Sequence, residues 1–165
     1  VEGIALLPDK IKYKIKYTIV GTGPEKAKIK ELIKNYKLEK VVIMVGSVNS
    51  NDIPSYILLS DMLILPSDYE PWGLVVNEAM SLAVPVVAPY WVGASQNLII
   101  NGYTGVLLDG NTPAHISKTI EFAVANPQYL KYLSSNCIKH IENHRTCLSE
   151  SLSNTIIMFE QLNGN

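Results

Sequence analysis

Two carboxylates, Glu70 and Glu78, stand with seven residues between them in the stretch DMLILPSDYEPWGLVVNEAMSLAVPVVAP that starts at Asp61. The apolar run ending at Pro66 reads as a buried strand and Gly73 through Leu82 as the helix that follows, so Glu70 falls in the loop and Glu78 within the helix. Both side chains can then face one ligand. A helix start offers unpaired backbone N–H groups and partial positive charge, which suit phosphate. A carboxylate accepts hydrogen bonds from adjacent hydroxyls, as on a sugar. Taken without context, the commoner reading of such a pair is a loop charge and a solvated helix residue. Taken together, the strand, loop and helix suit a sugar nucleotide.

These residues need a scaffold that gathers strand ends. Apolar strands are expected at Ile15–Val20, Val41–Val45, Met62–Leu65, Val84–Ala88 and Val106–Leu108, with helix-like segments between them. Near-continuous Val, Ile and Leu, without alternation, indicates strands covered on both faces. Right-handed helical crossovers then build a doubly wound parallel sheet, an α/β fold that binds ligands at the carboxyl ends of its strands. Three helical stretches follow, opened by Thr112-Pro113, by Asn126-Pro127 and after Arg145, and the Asn163-Gly164-Asn165 end reads as frayed. Gly21 and Gly23 in the Gly21-Thr22-Gly23-Pro24 turn after the first strand permit close backbone approach to a ligand, although tight turns need such glycines whether or not anything binds.

Several function classes lack support in composition. The 165 residues fit one domain with 47% hydrophobic content, and a net charge of −1 gives no basic footprint for nucleic acid. The lysines between Lys10 and Lys40 read as solvated surface. Cys137 and Cys147 form neither a zinc motif nor a disulfide scaffold, which fits a reducing cytoplasm. No apolar run approaches the ~18 residues that span a bilayer, so any membrane contact is expected to be peripheral.

The order Glu70, Trp72-Gly73, Glu78-Ala79-Met80 and Pro85-Val86-Val87 resembles the signature of the retaining glycosyltransferases of family 4, which have the GT-B fold. The likeness runs from YTIVGTGPE at Tyr17 to NGYTGVLLDGN ending at Asn111. It implies the donor-binding, Rossmann-like half of an enzyme that transfers a sugar from a nucleotide diphosphate donor, expected to be UDP-linked, to a glycan or lipid acceptor such as a surface polysaccharide or lipopolysaccharide, with retention of configuration. It further implies that Glu70 positions the transferred sugar, that the amides of Gly73, Leu74 and Val75 meet the diphosphate, and that Glu78 binds ribose. Val48 would hold the base through its backbone, Gly21 and Gly23 would line the cleft, and Trp72 would wall the sugar pocket or simply pack in the core. No obligatory metal and no other cofactor is implied.

Departures from the family pattern qualify the likeness. Pro71 removes a backbone donor where many relatives have glycine, which leaves the sugar open, and the segment Pro89 to Asn97 replaces a smaller one, so that Tyr90 and Trp91 narrow the cleft or meet a partner domain. Relatives carry an Arg and a Lys on the first strand and loop of this domain, and Val1 falls just beyond them. The chain is therefore expected to be a fragment, residues 1–165 forming a single domain without its first strand and without the amino-terminal acceptor domain that supplies a catalytic His. The isolated domain is then expected to be inactive. His115, His140 and His144 match no motif and read as surface residues. Two alternatives stay open: a GT-B sugar-nucleotide epimerase or phosphorylase, and a non-catalytic α/β interaction module, against which the retained pair Glu70 and Glu78 argues.

Overall fold

Strands rich in Val, Ile and Leu alternate with helices between Tyr17 and Ala125. A computed structural model describes residues 1–143. The elements in order are α1 (Glu2–Ala5), α2 (Asp9–Lys12), β1 (Tyr17–Val20), α3 (Lys26–Asn35), β2 (Val42–Gly46), a 3₁₀ turn (Ser50–Asp52), α4 (Ile53–Leu58), β3 (Leu63–Ile64), α5 (Leu74–Ser81), β4 (Val86–Pro89), α6 (Gly93–Leu98), β5 (Gly105–Leu108) and α7 (Pro113–Ala125). A further helix, α8, follows over residues 127–143. His144, Cys147, the helix expected after Arg145 and the chain end lie outside the described residues.

The expected α/β architecture forms, and every strand pair is parallel. The ladder is divided, however. β1 pairs with β2, and β3, β4 and β5 pair in that order, with no hydrogen bonds joining β1 to β3. Burial follows this division. β4, flanked on both sides, is buried along its whole length, whereas β1 and β2 alternate between half-buried or buried and exposed residues. The expectation of strands covered on both faces therefore holds for the middle of the larger sheet and not for β1 and β2, which a neighbour flanks on one side only.

The apolar residues gather in two clusters. One joins Val76, Ala79 and Met80 of α5 to Val86 and Ala88 of β4, Leu98 of α6 and Cys137 of α8. The other joins Ile4, Leu7 and Ile11 to Ile33, Val41, Val42 and Ile120. Each buried Val, Leu, Ile or Met side chain among them contributes about 1.5–3 kcal/mol relative to exposure, so α5 is held by its Val76, Ala79 and Met80 face while Leu74 points outward.

Capping and back-bonding fix the remaining helices. Thr112 ends an extended residue and its hydroxyl accepts from the His115 amide at 3.3 Å, with Pro113 at the first helical position of α7, as the sequence predicts. α8 reaches back over the sheet connections: Ser134 Oγ donates to Ala83 O at 2.6 Å, Asn136 Nδ2 to Tyr103 O at 3.2 Å and Cys137 Sγ to Thr104 O at 3.0 Å. Burial raises the Cys137 thiol pKa to about 11.

Candidate functional site

Pro66 stops β3, and the chain then turns through Ser67, whose Oγ donates to Tyr69 O at 3.0 Å. Asn111, from the far side of β5, braces this turn: its Nδ2 donates to Pro66 O and to Asp68 Oδ1, both at 2.9 Å. Glu70 follows, half-buried, with Oε1 accepting from the Trp72 amide at 3.3 Å. The loop thus uses one oxygen of Glu70 to shape itself and holds the carboxylate beside the start of α5.

Gly73 makes that start possible. It caps α5 in the left-handed region at φ 86° and ψ 64°, where an L side chain is strained. A Cβ there would also lie 3.1 Å from Val92 Cγ1 and 3.2 Å from both Glu70 Cγ and Leu65 Cδ2. No side chain caps α5, and the Val76 amide turns back to Gly73 O at 2.9 Å. The first-turn amides of Leu74 and Val75 carry the partial positive charge of the helix end. Glu78 is half-buried one turn further on, three residues after Val75 and four after Leu74, so it shares their side of the helix.

The loop after β4 locks against this assembly. Glu70 O accepts from the Gly93 amide at 3.3 Å and Trp72 O from the Ala94 amide at 2.7 Å. Position 93 admits glycine alone, because a Cβ would run into Pro71 O. Trp91 is half-buried, its Nε1 donating to Ser67 O at 3.0 Å, and it meets Tyr90 edge-on with ring centroids 5.2 Å apart. The substituted segment Pro89 to Asn97 is thus built into the loop after β3, and of its two aromatics it is Tyr90 that stands exposed.

Trp72 is neither buried core nor free: it is 45% exposed and its indole Nε1 donates to Asn77 Oδ1 at 3.1 Å. Asn77 was not singled out by the sequence, although its place one helical turn beyond Gly73 is where a side chain can reach back over the helix start. Across the molecule, Gly21 ends β1 at φ 118° and its amide donates to Gly46 O at 2.8 Å, which draws the loop after β1 to the loop carrying half-buried Val48. Gly23 lies in open space. The residues singled out by the sequence therefore fall in two groups. Glu70, Trp72, Gly73, Leu74, Val75 and Glu78 form one at the carboxyl end of β3, and Gly21, Gly23 and Val48 form the other at the carboxyl ends of β1 and β2.

The histidines lie elsewhere. His115 Nδ1 is 2.9 Å from Gly110 O and 3.7 Å from Asp109 Oδ1, at the end of β5. His140 is half-buried on α8, a correction to its reading as a surface residue. Among the described residues no three His, Cys, Asp or Glu side chains are grouped so as to hold a metal ion, and no helix is long and apolar enough to cross a membrane.

The chain resembles known proteins throughout this region. It is 29% identical over 120 residues to alpha-D-kanosaminyltransferase of Streptomyces kanamyceticus, covering 73% of this chain and 31% of that protein. It is 34% identical over 107 residues to N-acetyl-alpha-D-glucosaminyl L-malate synthase of Bacillus anthracis, covering 64% of this chain and 27% of that protein. The chain thus spans about a third of the length of the curated relatives it matches. Among solved structures, Alr3699/HepE of Anabaena in complex with UDP superposes with a TM-score of 0.73 at 24% identity, over 93% of this chain and 43% of that one. A glycosyltransferase from Rickettsia africae does so with a TM-score of 0.78 at 22% identity, over 99% and 44%. These likenesses show the fold, that of the Rossmann-like half of a GT-B enzyme. The family model for glycosyl transferases group 1 matches residues 1–140, and with the strand, loop and helix from Leu63 to Ser81 in the arrangement described, the chain belongs to that family.

Proposed function

We propose that the chain is the donor-binding half of a retaining glycosyltransferase of family 4, moving a sugar from a nucleoside diphosphate to a glycan or lipid acceptor. The observation that carries this reading is the start of α5: a left-handed Gly73, an uncapped first turn, and Glu70 held against it by the Trp72 amide. The first-turn amides of Gly73, Leu74 and Val75 take the diphosphate, because a helix end stabilises anions and a carboxylate would repel them. Glu70 accepts from hydroxyls of the transferred sugar through the oxygen its own loop leaves open. Glu78, on the Leu74 side of α5, takes the ribose diol. Val48, Gly21 and Gly23 supply backbone groups near the base and the phosphates, and half-exposed Trp72 borders the sugar.

UDP is the expected nucleotide, and the complexes of HepE with UDP and with UDP-glucose support that choice by likeness of fold. Departure of the diphosphate would be assisted by amide dipoles in place of a protein nucleophile, with no obligatory metal. The complete enzyme would take its acceptor and a catalytic His from an amino-terminal domain, work in the cytoplasm or peripherally at a membrane face, and leave residues 1–165 without measurable turnover. Amide NMR during titration with UDP, GDP and ADP tests the reading. Saturable shifts are expected at Gly73 to Glu78 and at Val48 with UDP, weakened about tenfold in Glu78→Ala by loss of a charge-assisted bond. No shift at millimolar ligand, or equal affinity in the variant, would refute it.

A further inference from the structure

Trp72 is tied down by its amide, its carbonyl and its indole, and still leaves much of its ring in the open. The amide donates to Glu70 Oε1 at 3.3 Å, the carbonyl accepts from the Ala94 amide at 2.7 Å, and the indole Nε1 donates to Asn77 Oδ1 at 3.1 Å. The first two bonds belong to the loops after β3 and β4. The last comes from α5, where Asn77 follows Leu74 by less than one turn, so the ring runs from the Glu70 loop along the first turn of the helix. An indole nitrogen donates and never accepts, so Asn77 must turn its carbonyl oxygen towards the ring. The opposite rotation of its amide would set donor against donor.

Packing does not account for this arrangement. The ring is 45% exposed, which withdraws little apolar area from water, and its bond to Asn77 is itself exposed. Trp91 is the contrasting case: it is half-buried, and its Nε1 donates to the main-chain carbonyl of Ser67, which no other side chain has to place. What the Asn77 bond supplies is orientation. It selects one rotamer of a side chain that solvent would otherwise leave free, and holds the ring between the Glu70 loop and the start of α5.

We infer that Asn77 is a positioning residue for the transferred sugar: through the Trp72 indole it fixes an aromatic wall against which the C–H face of a pyranose packs while Glu70 accepts from the hydroxyls. This rests on the donor-binding reading above and adds to it the residue that sets how much the sugar contributes to affinity. The chemistry suits a hexopyranose. One face of such a sugar presents C–H groups with partial positive charge, and the face of an indole is the negative part of its quadrupole. A mobile indole would have to be ordered as the sugar arrives, which weakens binding, and Asn77 orders it beforehand.

The test reads the sugar separately from the nucleotide. NMR titrations of the 165-residue chain give affinities for UDP, UDP-glucose, UDP-galactose and UDP-N-acetylglucosamine, and the ratio of the tightest UDP-sugar to UDP is compared among variants. Asn77→Leu keeps the bulk of the side chain without an acceptor and should lower the ratio by about three- to tenfold, the worth of one such hydrogen bond. Asn77→Asp keeps an acceptor and should restore it. Trp72→Phe keeps a ring without the N–H, so adding Asn77→Leu to it should lower the ratio no further. A ratio unchanged in Asn77→Leu, with UDP and the UDP-sugars weakened alike, would overturn the inference by showing that Asn77 only shapes the helix. Additive losses in the double variant, no recovery in Asn77→Asp, or a parent that binds no UDP-sugar more tightly than UDP would overturn it too. Each of these results, obtained with UDP bound, leaves the donor-binding reading standing, whereas no binding of UDP at millimolar concentration refutes that reading and this inference together.

Discussion

Replacing Gly73 by alanine tests the architecture of the site more sharply than any change to a charged group. Two independent costs meet there. The backbone sits at φ 86°, and holding an L residue in the left-handed region costs about 1–2 kcal/mol. The new methyl would press on Val92 Cγ1 at 3.1 Å and on Leu65 Cδ2 and Glu70 Cγ at 3.2 Å, closer than ordinary contact, and Val92 is fully buried and has nowhere to go. Crowding of this kind costs about 1–3 kcal/mol. Alanine recovers about 0.4–1 kcal/mol by restricting the unfolded chain, so the net loss is about 1–5 kcal/mol. For a chain of this length that lowers Tm by about 2–20 °C. Gly21→Ala supplies the control, since Gly21 is also at positive φ, 118°, but has no atom near the position of a Cβ. It should lose about 1 kcal/mol from strain alone. Thermal unfolding followed by circular dichroism, with urea titrations to give free energies, measures both. Equal losses in the two variants would refute the argument that Gly73 is required for space as well as for conformation, and a Tm unchanged in Gly73→Ala would refute both parts.

Three other outcomes are expected. Trp91→Phe removes the donor to Ser67 O at 3.0 Å and should cost about 1 kcal/mol in urea unfolding, leaving that carbonyl to solvent. Ala83 holds φ 62° without being glycine, so Ala83→Gly should stabilise the protein by up to about 1 kcal/mol, raising Tm in calorimetry. Burial raises the Cys137 thiol from its ordinary 9.0 to about 11, so the folded state holds that proton more tightly than the unfolded state. The stability this contributes is complete below about pH 9 and is lost as pH rises towards 11, and unfolding of Cys137→Ala measured across that window should lose less stability with pH than the parent.

The strand centres were legible in the sequence because apolar runs bounded by Gly, Pro and polar residues have few other uses, and each expected strand overlaps an observed one. Its ends were less so. β3 shrinks from the expected Met62–Leu65 to Leu63–Ile64, the two residues in register with Val86 and Val87 of β4, although the Leu65 amide still bonds to Val87 O. Gly73 and the helix after it could be read because a left-handed cap and a helical period leave marks within ten residues. The bracing of the site could not: Glu70 O meets Gly93, Trp91 meets Ser67 and Asn111 meets Pro66 across 23 to 45 residues of chain, and no local propensity records which loops will share an edge. Trp72 escaped for a related reason. Wall or core exhausted the sequence-level options, while the structure pins the indole to Asn77 and leaves almost half of it in water. Cys137 carried no signal beyond the lack of a partner motif, yet it lies at the heart of the packing between α8 and the sheet.

The two main-chain bonds from Gly93 and Ala94 to Glu70 and Trp72 make the loops after β3 and β4 behave as one body. A ligand arriving at the start of α5 therefore meets a receptor whose backbone freedom was surrendered during folding, and little of the binding free energy is diverted into ordering loops. The same fusion means that changes in one loop are felt in the other. Substitutions at Pro71 and at Gly93, twenty-two positions apart in the chain but with the Pro71 carbonyl against the Gly93 Cα, should combine with a coupling energy well outside the additivity expected of distant sites. Whatever this surface recognises, its selectivity is a joint property of two loops, and an alteration in either one reshapes the surface that both present.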